Sequence, residues 1–176
     1  MDGDGDMDLV VGNFAGGEKN RVYMNNGTPS PWTNVSASNI TSDAPVTHAV
    51  AIGDVDSDGD VDLVTGSTGP GRLRLYQNNG TSDPWNGVSA SYITSDVRYV
   101  VAIALGDIDN DGDLDLVAGN DNNQTNRFYL NNGTSDPWGG VSGTDITSDA
   151  HYTQQVALGD VDGDGDLDLV AGNYFS

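Results

Sequence analysis

Apolar residues in this chain fall in short β-branched runs, and none carries a helical apolar period over the length a helix needs. One kind of run is His48-Ala-Val-Ala-Ile-Gly53, repeated as Val100-Val-Ala-Ile-Ala-Leu105 and Gln155-Val-Ala-Leu158. After an acidic stretch a second run follows: Leu9-Val-Val11, Leu63-Val-Thr65, Leu116-Val-Ala118 and Leu169-Val-Ala171. A third comprises Arg21-Val-Tyr-Met24, Leu73-Arg-Leu-Tyr76 and Arg127-Phe-Tyr-Leu130, each ended by Asn-Asn-Gly, a turn sequence tolerant of positive φ. A fourth strand is expected within Val35 to Thr41, Val88 to Thr94 and Val141 to Thr147, ahead of a Ser-Asp turn. The pattern predicts strands throughout.

The runs repeat. Trp32, Trp85 and Trp138 are 53 residues apart, as are Asp54, Asp107 and Asp160. The step from Asp8 to Asp62 is 54, the extra residue lying between Gly12 and Asn26 as a hairpin-loop insertion. Four short strands per unit of this size are the signature of a β-propeller blade. The expected fold is all-β, about three blades in an incomplete ring: a partial blade at 1–45, blades at 46–98 and 99–151, and a partial blade at 152–176. Three blades fall short of the usual four to eight, and an open arc exposes strand edges. The chain is therefore expected to form a homo-oligomer, with a twofold dimer closing six blades favoured, or to be a fragment of a longer chain, as its opening inside a motif suggests.

Charge changes the picture at one place in each unit. Of the 27 acidic residues, nineteen lie in four loops: Asp54, Asp56, Asp58, Asp60 and Asp62; Asp107, Asp109, Asp111, Asp113 and Asp115; Asp160, Asp162, Asp164, Asp166 and Asp168; and a clipped copy with Asp2, Asp4, Asp6 and Asp8. Alternating carboxylates repel one another unless a cation lies among them, and Ca²⁺ takes six to eight oxygens at about 2.3–2.6 Å. The side chains at positions one, three, five and nine, such as Asp54, Asp56, Asp58 and Asp62, are the expected ligands. The backbone carbonyl at position seven, Asp60, Asp113 or Asp166, adds another. Three Ca²⁺ sites are expected; the first loop lacks its leading Asp, so a fourth site there is expected to be weak or empty. An EF-hand closes with Glu at position twelve between helices, whereas here Asp closes at position nine between strands. Mg²⁺ prefers a smaller octahedral shell and keeps its waters. A solvated acidic turn without metal is the bland alternative, disfavoured by the recurrence of every ligand position.

The stretch Gly-Asp-x-Asp-x-Asp-Gly-Asp-x-Asp-Leu-Val, at Gly53 to Val64, Gly106 to Val117 and Gly159 to Val170, resembles the FG-GAP repeats of integrin α-subunit propellers and their bacterial relatives. The Phe-Gly and Gly-Ala-Pro tags are replaced by Ala-x-Gly-Asp and by Thr-Gly-Ser or Ala-Gly-Asn, a departure pointing to a bacterial branch. The resemblance implies a calcium-binding propeller repeat that serves as an extracellular or cell-surface adhesion or binding scaffold, with a protein or carbohydrate ligand.

Composition narrows the classes further. A hydrophobic content of 36% suffices for a core. A formal charge of -21 argues against nucleic acid and anionic membranes as partners, and no apolar run is long enough for membrane insertion. The absence of cysteine constrains the compartment only weakly. His48 and His151 accompany no recognisable nucleophile motif, so the chain is not expected to be an enzyme. Two alternatives remain: a non-catalytic propeller part of a larger polysaccharide-degrading or other secreted enzyme, and a lectin stacking sugars on Trp32, Trp85 and Trp138. For those tryptophans, packing in the wedge between blades is the favoured expectation.

Overall fold

Every regular element described in the computed structural model, which covers residues 1–68 and 72–174, is a β-strand. The first sheet contains β1 (Leu9–Val11), β2 (Arg21–Tyr23) and β3 (Ser38–Asn39) in that order. The second has β4 (Ala49–Gly53), β5 (Asp62–Gly66), β6 (Arg74–Tyr76) and β7 (Ser91–Tyr92), and the third has β8 (Val100–Gly106), β9 (Asp115–Asn120), β10 (Gln124–Tyr129) and β11 (Thr144–His151). β12 (Thr153–Gly159) pairs with β13 (Asp168–Asn173). All pairings are antiparallel between chain neighbours, and the described sheets do not close into a ring.

Each acidic loop is the connection of a hairpin. Gly53 pairs with Asp62, Gly106 with Asp115 and Gly159 with Asp168, so the loop springs from the same register each time. A one-residue slip would turn the buried Leu63 and Leu116 to the opposite face, which fixes that register.

Glycine lets the sheets approach one another. A Cβ on Gly66 would lie 2.5 Å from Val100 Cγ1 of the next sheet, and one on Gly119 would lie 2.9 Å from Val156 Cγ1. The core consequently sits between sheets. Trp85 shares a buried cluster with Val22 and Ile40 of the first sheet's repeat, and Trp138 shares one with Leu75 and Ile93 of the second. Their indole N–H groups donate to the carbonyls of Tyr76 and Tyr129, each at 3.2 Å, so burial leaves neither donor unpaired.

Two expectations are corrected. Trp32, with no described sheet on the side its successors pack against, is 48% exposed. The fourth strand of the third sheet does not stop at Thr147: β11 continues through Ser148 and Asp149 to His151. The cause is β10, which begins at Gln124 and supplies pairing partners for His151 and Ala150 across an irregularity between Thr125 and Arg127.

Candidate metal centres

The loops organise their own carboxylates before any ion is considered. Asp54 sits at the end of β4, where one carboxylate oxygen accepts the Asp58 amide at 3.1 Å and the other accepts the Gly59 amide at 3.0 Å. Asp107 does the same for Asp111 and Gly112, and Asp160 for Asp164 and Gly165. The loop can curl back this way because Gly59, Gly112 and Gly165 hold φ of +95°, +99° and +97°, where a side chain is strained.

The curled loops bring acid oxygens to within 4.8 Å of one another in three groups: Asp54, Asp56 and Asp58; Asp107, Asp109 and Asp115; Asp160, Asp162 and Asp168. Positions one and three belong to every group; position five joins them in the first group and position nine in the other two. Asp111 and Asp164, expected as ligands, stand outside their groups; an oxygen of each accepts the amide two residues on at 3.0 Å, as Asp58, inside its group, does at 2.9 Å. Asp62 also stands outside its group. Its oxygens accept the amides of Val55 at 3.1 Å and Asn78 at 2.8 Å, clamping the start of the loop to the turn after β6. Asp115 makes the same clamp to Ile108 and Asn131, yet keeps an oxygen near Asp107 and Asp109.

These positions are costly for anions. Burial pushes the Asp62 carboxyl up to about 6 against the pull of its two amide donors. Burial also raises Asp115. Asp56 is raised by burial first, and the neighbouring charges of Asp58 and Asp54 add to it. Gln77 donates to Asp56 Oδ2 at 2.6 Å, while Oδ1 is buried with no hydrogen-bond partner among the described residues. An orphaned buried carboxylate oxygen beside two further carboxylates is a donor set suited to a hard divalent cation. Asp54, Asp56 and Asp58 would hold it.

In the first loop the terminal ammonium of Met1 and the amide of Asn25 reach Asp8 at 2.9 and 2.8 Å, reproducing the clamp. Asp2 and Asp4 accept the amides of Asp4 and Asp6.

Sequence reasoning missed the links between loops. The Asn131 side chain donates to Val55 O in the second loop at 2.8 Å and to Leu114 O in the third at 3.1 Å; Asn78 spans Met1 O and Val61 O in the same way. Position seven is also engaged across the junction: Ser57 Oγ donates to Asp113 at 3.2 Å, and Asn110 donates to Asp166 at 2.8 Å. The recurrence of Asn as the first residue of every Asn-Asn-Gly turn was the available signal. His48 meets Phe14 edge-on at 4.5 Å and shares a hydrogen bond with the Thr68 hydroxyl, while His151 ends β11.

No helix among the described residues is long and apolar enough to cross a membrane. No curated protein matches the chain. The family model for the FG-GAP-like repeat matches residues 1–65, 54–118 and 107–171. Each match runs from one acidic loop through the next to the strand that follows it, and together they span all four loops. The chain belongs to the FG-GAP-like repeat family and is a β-propeller repeat module.

Proposed function

We propose that this module binds Ca²⁺ at its three complete loops and uses the ions to hold a propeller arc rigid as an extracellular or cell-surface binding scaffold, not as an enzyme. The observation that carries the reading is the threefold recurrence of acid oxygens gathered within 4.8 Å at one end of successive sheets. Like charges at that separation near a protein surface repel by roughly 3 kcal/mol per pair, so a divalent ion relieves strain built into each loop. An ion that binds only the folded chain stabilises it by about 2.7 kcal/mol per site at a hundredfold excess over Kd. Millimolar calcium outside cells would fill even modest sites.

The scaffold's ligand would be a protein or carbohydrate surface. Trp85 and Trp138, at 2% exposure, present no face for a sugar to stack on, which disfavours the lectin alternative at those two positions. Calorimetric titration with CaCl₂ and MgCl₂ tests the metal reading. About three calcium ions per chain are expected, falling by one in Asp56→Ala and again in Asp56→Ala/Asp109→Ala. A stoichiometry near zero, or one unchanged by both substitutions, would sink it.

A further inference from the structure

One amide side chain ties a candidate metal ligand to the neighbouring sheet. Gln77, directly after β6, donates from the same nitrogen, Nε2, to Asp56 Oδ2 at 2.6 Å and to the backbone carbonyl of Ser135 at 2.8 Å. Both neighbours are acceptors, which fixes the way the amide faces. Asp56 belongs to the second acidic loop, and Ser135 to the loop that leads into Trp138 in the third sheet's repeat. The same two segments meet again alongside this link. Val55, one residue before Asp56, is buried in the cluster that holds Trp138, and its carbonyl accepts the Asn131 side chain at 2.8 Å.

The other repeats do not share this residue. Aligned on the Asn-Asn-Gly turns, Gln77 corresponds to Met24 in the first repeat and Leu130 in the third, neither of which can donate to a carboxylate. The gathered groups differ to match. In the third loop Asp109 gathers with the closing Asp115, whereas in the second Asp56 gathers with Asp58 and the closing Asp62 stands apart. The bond from Gln77 occupies Asp56 Oδ2 and leaves Oδ1, buried without a partner among the described residues, for an ion.

We propose that Gln77 is a positioning residue for the site in the second loop: it presents Asp56 to the ion through Oδ1, and it makes occupancy of that site tighten the seat of Trp138 in the next sheet. This role rests on the calcium reading of the loops and adds to it a link from one ion to one junction between sheets. Hydrogen-bonded partners orient a ligating carboxylate, and losing one costs about 10–100-fold in metal affinity. An ion on Oδ1 fixes Asp56, Asp56 fixes Gln77, and Gln77 holds the Ser135 carbonyl with less freedom than beside an empty loop. Leu130 offers the third loop no such relay.

The test uses the full chain with only the second site left intact, Asp109→Ala/Asp162→Ala, beside the same chain carrying Gln77→Met. Methionine removes the donor, keeps the reach of the side chain and matches Met24; Gln77 is only partly buried, so the variant should melt cooperatively. Titration with CaCl₂ should give about one ion for both chains, bound about tenfold more weakly with Gln77→Met. Hydrogen exchange is read at Asp136 and Gly139, whose amides are bonded to Thr134 Oγ1 and to the Asp136 carbonyl. Calcium should slow it about fivefold in the single-site chain and less than about twofold with Gln77→Met, the size expected of one net hydrogen bond. In chelator the same amides should exchange faster with Gln77→Met, a readout that needs no ion, and Gln77→Leu, which matches Leu130, should behave alike. Equal affinities, or a calcium response at Asp136 and Gly139 that survives both substitutions, would overturn the role of Gln77 and leave calcium binding standing. A single-site chain that binds no calcium would overturn the calcium reading and this role with it.

Discussion

The second acidic loop, residues 54–62, and the first, residues 1–8, share a closing clamp but differ in what begins them. Asp62 and Asp8 each receive two nitrogen donors, from Val55 and Asn78 in one case and from the Met1 ammonium and Asn25 in the other. In the second loop Asp54 leads and turns the amides of Asp58 and Gly59 inward. The gathered group of Asp54, Asp56 and Asp58 goes with that leading residue. The closing aspartate therefore joins the loop to the third strand of its sheet, while the leading aspartate curls the loop into a ligand cage. The two tasks are separable by experiment.

Stripping calcium should produce the largest effect, and should act on the complete loops alone. Three sites at about 2.7 kcal/mol each, with about 2–4 °C per kcal/mol for a chain of this size, imply a fall in melting temperature of roughly 15 °C or more. Calorimetry in calcium and in chelator reads it directly. Hydrogen exchange should then quicken at residues 54–62, 107–115 and 160–168 and change little at 1–8. Uniform exchange across all four loops would erase the distinction between them.

The clamp is tested with metal absent. Asp62→Ala leaves two amides without their acceptor in a buried setting, at about 1–3 kcal/mol each, partly offset by removal of a carboxylate that burial already disfavours. A net loss of about 2 kcal/mol in chelator is expected by urea denaturation. Asp8→Ala should cost about half as much or less, because the ammonium of Met1 can turn to water. Equal losses would mean that the first loop is clamped as tightly as the second.

The strands and acidic loops were legible because they depend on local chemistry: β-branched runs, Asn-Asn-Gly turns, and a glycine wherever the loop reverses. The fate of Trp32 was not, since its burial depends on a neighbouring sheet rather than on its own repeat. The far end of β11 was hidden for a similar reason, because Ser148-Asp149 reads as a turn until β10 offers partners to Ala150 and His151. Among the candidate ligands, spacing identified which aspartates share a loop but not which oxygens were already committed to amides. Both oxygens of Asp62 serve the amides of Val55 and Asn78, bonds that no spacing of aspartates reveals.

Within the second loop, Gly59→Val should weaken calcium binding more than Asp60→Asn. A Cβ at Gly59 meets nothing within 4 Å, so the penalty comes wholly from φ of +95°. About a tenfold or greater loss of affinity at that site is expected. Asp60 presents its side chain to the Asn-Asn-Gly turn, where a Cβ on Gly80 would lie 2.9 Å from its Oδ2, so Asn should cost less than about threefold. Equal losses would refute the assignment of position seven as a carbonyl ligand.

A smaller effect should follow pH in chelator-treated buffer. The Asp62 carboxyl lies higher in the folded chain, at about 6, than in the unfolded one, so its contribution to stability is complete below about pH 4 and is lost as pH rises through 6. The metal-free protein should therefore melt higher at pH 5 than at pH 7. Asp62→Asn should flatten that slope. A slope unchanged by Asp62→Asn would assign the effect to general repulsion among the acidic loops.

The smallest expected effect concerns communication between loops. Ser57 Oγ reaches Asp113 of the next loop at 3.2 Å, and Asn110 reaches Asp166 in the same way, whereas Gly3 at the corresponding place in the first loop has no side chain to offer Asp60. Both bonds are exposed, so Ser57→Ala should change stability by no more than about 0.5 kcal/mol. Its consequence should instead be seen in the titration. If the bond positions Asp113 and thereby the carbonyl beside it, Ser57→Ala should shift affinity at the third site by about twofold while leaving the second unchanged, although Ser57 itself lies in the second loop. Introducing serine at Gly3 should leave all three complete sites unaltered, because Asp60 is already held at the Gly80 turn. A Ser57→Ala effect confined to the second site would show that the loops act independently and that the cross-junction bonds align neighbouring sheets without coupling their ions.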